Sequence, residues 1–164
     1  MLASQDRQDK VAAYYADKYG LAFDDVREIV YQTNQAGRET NLNPLILIAI
    51  VAHESNFIPT VRNKSGAEGL MQVMTTIHKR KFKAYGGERA AFSPAANVRV
   101  GALVLKQCIA LRRSLDGGLR YYAGAGNSDA GDNGFVQWIH QEEQTLRELL
   151  KLPAPRGPKP LQRK

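Results

Sequence analysis

Residues 43–55, NPLILIAIVAHES, constrain the chain more than any other stretch. Asn43 can cap a helix with its side chain, and Pro44 suits the first helical position, where its missing N–H is not needed. Eight apolar residues follow, Leu45 to Ala52. Their Ile and Val content alone would allow a buried strand. The cap and the length predict a helix buried nearly all round. The run is too short to span a bilayer core of about 30 Å. A carboxylate, Glu54, stands at its end. Carboxylates are rarely buried unless paired or functional, and burial favours the protonated form that a general acid requires.

The rest of the pattern is helical. Val11, Tyr15 and Tyr19 mark a first helix ending near Gly20, and Phe23, Val26, Val30 and Thr33 mark a second. Residues 57–69 read as a loop punctuated by Pro59, Gly66 and Gly69. A short helix is expected over Thr75–Tyr85, ended by Gly86 and Gly87. Ser93-Pro94 caps a long helix with the buried stripe Val100, Val104, Cys108, Leu111 and Leu115, which Gly117 and Gly118 should stop. A short helix holds LRYYAG, a polar loop runs from Gly124 to Gly134, and a last helix carries Val136, Ile139, Leu146 and Leu150. No stretch reads as a strand. The fold class is all-α, with 1–150 as one domain and 151–164, basic and rich in proline, as a disordered tail.

The formal charge is +7, yet residues 1–50 hold five Lys/Arg against seven Asp/Glu. The bases concentrate in HKRKFK, His78 to Lys83, and in the tail from Lys151, which has five bases and no acid. Such clusters suit an anionic polymer or an anionic envelope surface, or are simply solvated surface. No helix-turn-helix or zinc signature supports nucleic acid as a partner. Nothing at the N-terminus reads as a signal peptide, because Met1 to Ser4 runs straight into polar residues. The single cysteine, Cys108, excludes an internal disulfide and lies in the expected apolar stripe.

His53-Glu54 suggests the zinc motif H-E-x-x-H, but position 57 is Phe57, so that motif fails and no metal or other cofactor is expected. There is no G-x-S-x-G elbow and no phosphate-binding loop. Asp116, Asp129 and Asp132 lie in glycine-rich stretches that suit solvated turns.

The stretch around and after Glu54 is more specific. HESNFIPTVRNKSGAEGLMQVM, residues 53–74, resembles the signature of the soluble lytic transglycosylase catalytic domain, in the goose-type lysozyme-like superfamily. Glu54-Ser55-Asn56-Phe57-Ile58-Pro59 fits its E-S-x-F-x-P. Gly66 to Met74 fits its G-A-x-G-L-M-Q-x-M without a gap. NVRVGALVLK, from Asn97, and RYYAGAG, from Arg120, resemble two later family blocks in the same order. The likeness covers about residues 40–140.

This resemblance implies a lysozyme-like helical domain with a glycan-binding cleft. It implies cleavage of the β-1,4 bond between N-acetylmuramic acid (MurNAc) and N-acetylglucosamine (GlcNAc) of peptidoglycan, with a 1,6-anhydro product and no water consumed. Glu54 takes the place of the catalytic acid, and Tyr121 that of the tyrosine that orients it. Ser55, Asn63, Ser65, Gln72, Met74 and Tyr122 would join Tyr121 in contacting substrate. Gln72 can equally brace its own loop. Three positions depart from the family pattern: Asn63 replaces a serine, Thr75 a proline, and Tyr122 an asparagine. A monomer in the periplasm or cell envelope is expected, the export segment lying outside this sequence, with the basic tail available for peripheral envelope contact. The rival readings are a lysozyme-type hydrolase, which would need a second carboxylate to activate water, and a non-catalytic glycan-binding domain.

Overall fold

A computed structural model describes residues 1–124 and 132–155. Helix α3, Pro44–Ser55, lies at the centre, and Leu45 to Ala52 are each at most 2% exposed. Burying each Leu or Ile there contributes about 2 kcal/mol before conformational entropy is counted. Asn43 accepts the Leu45 N–H on its side-chain oxygen, as the sequence predicts for the cap. Its amide donates to Glu143 Oε1 at 2.8 Å, which ties the start of α3 to the C-terminal helix.

The other helices enclose α3. Helix α1, Gln5–Tyr19, is capped by Ser4 and ends at Gly20 in the left-handed conformation. Helix α2, Phe23–Thr40, packs on α1 and α3. A two-stranded antiparallel hairpin comes after α3: β1, Ala67–Glu68, pairs with β2, Val73–Met74, in the register Ala67 to Met74 and Glu68 to Val73. Helix α4 covers only Lys79–Phe82, and 3-10 turns succeed it at Lys83–Tyr85 and Glu88–Phe92. Helix α5, Pro94–Arg112, starts on the Ser93 cap and packs on α2 and on α6, Leu115–Tyr122. Helix α7, Phe135–Leu149, packs on α3 and α6.

Several expectations are corrected. The hairpin is too short to leave an alternating pattern, so no strand was visible. The helix expected over Thr75–Tyr85 narrows to α4, because Thr75 to His78 turn back on the Met74 carbonyl, which accepts from the N–H groups of Ile77 and His78. Gly117 and Gly118 do not stop α5. That helix ends at Arg112, with Arg113 left-handed, and both glycines lie inside α6, capped by Ser114. Gly118 is there for packing: a Cβ would sit 2.5 Å from Ile109 Cγ1. Leu111 and Leu115, expected in the buried stripe, are 61% and 36% exposed, and Leu115 begins α6. The stripe otherwise holds through Val100 and Cys108, and Val136, Ile139, Leu146 and Leu150 are buried on α7 or at its end. In the expected tail, Leu152 packs against the core and Pro153 accepts a hydrogen bond from Arg147. Residues 156–164 of the tail and 125–131 of the Gly124–Gly134 loop lie outside the described residues.

Candidate active site

Glu54 occupies the last turn of α3. Directly after the helix the chain takes two consecutive left-handed residues, Asn56 at φ 48° and Phe57 at φ 63°. That reversal drives Phe57 back into the core, where its ring stacks on Tyr15 at 4.5 Å. Tyr15 in turn donates to Glu142 Oε1 at 2.7 Å. The turn is thus fastened to α1 and α7, and the adjacent Glu54 is held on a fixed backbone. The carboxylate itself is not buried. Its side chain is 23% exposed, because the chain turns away after Ser55 and leaves that side open.

His53 Nδ1 lies 3.8 Å from Glu54 Oε1. The imidazole meets Phe135 and Trp138 of α7 edge-on, at 4.9 and 5.0 Å between ring centres. Two aromatic rings therefore hold the orientation of the group beside the carboxylate.

The hairpin forms the facing wall, and one buried amide holds it there. Asn97 of α5 is 0% exposed. Its Nδ2 donates to the carbonyls of Glu68 and Ala91, and its Oδ1 accepts from Met71 N–H at 2.8 Å. Two glycines allow this approach. Gly69 has φ 78°, and a Cβ would collide with the Ala91 carbonyl and the Asn97 amide. Gly101 lies one helical turn beyond Asn97, and a Cβ there would meet Met71 Sδ at 2.5 Å. Met71 fills that gap and is fully buried.

Tyr122 joins the two walls. Its hydroxyl donates to the Met71 carbonyl at 2.6 Å. Burial pushes this phenol well above its ordinary value, and the charge of Glu54 pushes it further. Tyr122 therefore lies near enough to Glu54 to feel its charge. Tyr121, to which the resemblance gives the orienting role, is 39% exposed and points about 100° round the helix from Tyr122.

Comparison with protein families decides what this arrangement belongs to. The transglycosylase SLT domain model matches residues 32–148. The chain belongs to the transglycosylase SLT domain family. An X-ray structure of an inactive mutant of the lytic transglycosylase Slt from Pseudomonas aeruginosa matches with a TM-score of 0.61 at 20% identity. The match covers 76% of this chain and 25% of that one, so this chain spans a quarter of that protein's length. The shared architecture is the lysozyme-like all-α fold. Comparison with curated proteins gave no match. The matched span of the SLT domain begins inside α2. Helix α1, which braces the turn after Glu54 through Tyr15, therefore lies before it.

The other residues singled out in the SLT domain take several different positions. Gln72 and Asn63 brace the loop. The Gln72 amide donates to the Val61 and Gly69 carbonyls, both at 3.0 Å, and Asn63 Oδ1 accepts from the N–H groups of Ser65 and Ala67. Ser55 faces away from the site: it is buried, and its hydroxyl donates to Val51 O one turn back. Ser65 is exposed on the loop, and Met74 is half-buried in β2. Asp116 is not in a loop. It lies in the first turn of α6, with His140 Nε2 2.7 Å from its Oδ1. Asp132 accepts from Gly134 N–H and so has the turn role expected of it, while Asp129 lies outside the described residues. Asn97 and His53 were not singled out as site residues. The spacing of Asn97 and Gly101, four apart on one helix face, was the signal available for the first. Nothing in the sequence places Phe135 and Trp138 beside His53.

Proposed function

We propose that the SLT domain cleaves the β-1,4 bond between MurNAc and GlcNAc in peptidoglycan without water, leaving a 1,6-anhydroMurNAc end. The observation that carries this reading is a partly open carboxylate, Glu54, at the end of a buried helix, beside His53 and near enough to the buried Tyr122 phenol to act on it through its charge. The family match supports the substrate class. The Glu-to-Gln substitution that accompanies inactivity in the Pseudomonas protein agrees with an acid in this role.

One acid serves twice. Protonated Glu54 gives its proton to the glycosidic oxygen as the bond to C1 of MurNAc breaks. The carbonyl oxygen of the 2-acetamido group bonds to C1 and takes up the positive charge. Glu54, now a carboxylate, removes the proton from the C6 hydroxyl of the same sugar. O6 then bonds to C1 and displaces the acetamido oxygen, and Glu54 is protonated again. His53, 3.8 Å from the carboxyl, steadies it for both transfers, and Tyr122, whose one hydroxyl proton goes to the Met71 carbonyl, holds the hairpin wall in place. Gln72 keeps the hairpin loop shaped for the sugar, and its free contribution to substrate is its carbonyl oxygen. Glu68, the carboxylate of the hairpin, is engaged by Arg62 at 2.6 Å and does not serve as a water-activating base.

Residues 1–150 act as one catalytic domain in this reading, and the substrate places it in the periplasm or cell envelope. The test is mass spectrometry of the products released from purified peptidoglycan. Fragments one water lighter than hydrolysis products, absent with Glu54→Gln, are expected. Reducing-end products would replace the reading with a hydrolase, and release of nothing would replace it with a binding domain.

A further inference from the structure

Residues 69–115 hold nine Lys/Arg against a single carboxylate, Glu88, whereas residues 1–50 are net acidic. The densest part is Lys79, Arg80, Lys81 and Lys83, on α4 and at its end. Lys79, Arg80 and Lys83 are exposed. Among the described residues none of the four is paired with a carboxylate, whereas Arg99 of the same stretch is spent on Glu39 of α2. Lys81 Nζ lies 3.3 Å from His78 Nδ1, and burial together with the Lys81 charge holds His78 below its usual range. The charge of the cluster is therefore that of its three lysines and one arginine, with no internal anion to neutralise it.

Ile77, two residues before Lys79, is 70% exposed. The segment that carries it is fixed at both ends. Thr75 is buried before it and Phe82 after it, and the Met74 carbonyl accepts from the N–H groups of both Ile77 and His78. Ile77 is left standing out from a pinned turn. Tyr85, also exposed, follows in the 3-10 turn at Lys83–Tyr85. A hydrated polyanion would account for the bases and give no use to an exposed isoleucine. The surface of a bilayer with acidic headgroups accounts for both. Its phosphates attract the bases, and apolar side chains beside them enter the boundary between headgroups and acyl chains. Lysine and arginine stems lie along that boundary with their charges at the phosphates, and tyrosine rings favour the same depth.

We propose that α4 and the turn before it form a docking face for a bilayer that carries anionic phospholipid, with Ile77 inserted and Lys79, Arg80, Lys81 and Lys83 on the headgroup phosphates. The face begins three residues after Met74 of β2, so docking holds the hairpin wall of the site beside the membrane surface. The envelope contact expected of the basic tail passes to a folded part of the domain. The inference does not depend on the cleavage reading.

The experiment is co-sedimentation of the full chain with vesicles of phosphatidylcholine alone, or of equal parts phosphatidylcholine and phosphatidylglycerol. The second should bind on the order of 100-fold more tightly, and the difference should shrink as salt is raised. The triple variant Lys79→Gln, Arg80→Gln, Lys83→Gln should lose about 100-fold, at about fivefold per base. Ile77→Ser should lose about tenfold and keep the salt dependence. These side chains are exposed, so thermal unfolding of both variants should match the wild type. A variant with Arg156, Lys159, Arg163 and Lys164 all changed to Gln should bind nearly as the wild type does. Equal binding of the wild type to both vesicles, or to neither, would overturn the inference. Loss of binding in the tail variant with none in the triple variant would overturn it in favour of the tail. Binding unchanged by Ile77→Ser, with polyphosphate displacing the protein from the vesicles, would overturn it in favour of a general polyanion site.

Discussion

The hydroxyl of Tyr122 donates to the carbonyl of Met71 at 2.6 Å, which joins α6 to the tip of the hairpin. The Met71 N–H is already taken by Asn97. Both backbone polar groups of Met71, in the G-L-M-Q stretch, are therefore committed to neighbouring helices. The position of the hairpin wall relative to Glu54 is set by those two bonds.

Tyr122→Phe keeps the ring and removes the bond. Stability should fall by about 1 kcal/mol. Anhydro-product formation should slow on the order of 10-fold to 100-fold, as expected when a catalytic group loses its fixed geometry. Tyr121→Phe should leave the rate near wild type. Steady-state rates of the two variants side by side check the assignment, and the reverse order would return the role to Tyr121.

Asn97→Ala should be the costlier change, because it leaves the Met71 N–H and the Glu68 and Ala91 carbonyls without their partner inside the protein. A loss of about 3 kcal/mol is expected in urea unfolding. Hydrogen exchange should show the Met71 amide opening ahead of the global transition.

Ser55→Ala tests a residue that the resemblance placed at the substrate. Its hydroxyl is spent on Val51 O inside α3. The variant should keep wild-type activity with a stability change of about 1 kcal/mol or less. A selective rise in KM would contradict this.

Alkaline pH tests the buried phenols. Tyr122 and Tyr15 are both raised above the ordinary 10.0, Tyr122 by burial and the Glu54 charge, Tyr15 by burial and its bond to Glu142. Folded, they hold their protons more tightly than unfolded, so the unfolded state binds fewer protons above pH 10. Their stabilising contribution is complete below that pH and is lost as the pH rises beyond it. Urea midpoints measured from pH 8 to pH 11 should decline above 10. Phenolate absorbance from Tyr122 and Tyr15 should appear only with unfolding.

Gly118→Ala probes the contact between α5 and α6. A Cβ would lie 2.7 Å from Ile109 Cα, and backbone cannot swing aside as a side-chain tip can. The helices must separate, at a cost of about 2 kcal/mol, and Tyr122 must move with α6. Thermal unfolding and activity should fall together.

The sequence by itself determined the central helix, its cap and its end. Asn43, Pro44 and the run to Ala52 act through local hydrogen bonding and apolar content, which need no knowledge of the partner. It also determined where the acid stands and which loop comes next, because that loop depends on glycines and short-range turns such as the one Asn63 makes. The features it could not determine depend on which helix meets which. Gly117 and Gly118 read as a stop, since a glycine pair lowers helix propensity. Only the contact with Ile109 shows why α6 has no side chain there. Tyr121 and Tyr122 are adjacent letters of equal chemistry, and the roll of α6 against the hairpin decided which of them is buried on the Met71 carbonyl. The exposure of Glu54 was likewise a tertiary matter. The two left-handed residues after α3 turn the chain aside, and packing Phe57 onto Tyr15 makes that turn stable enough to keep the carboxylate open.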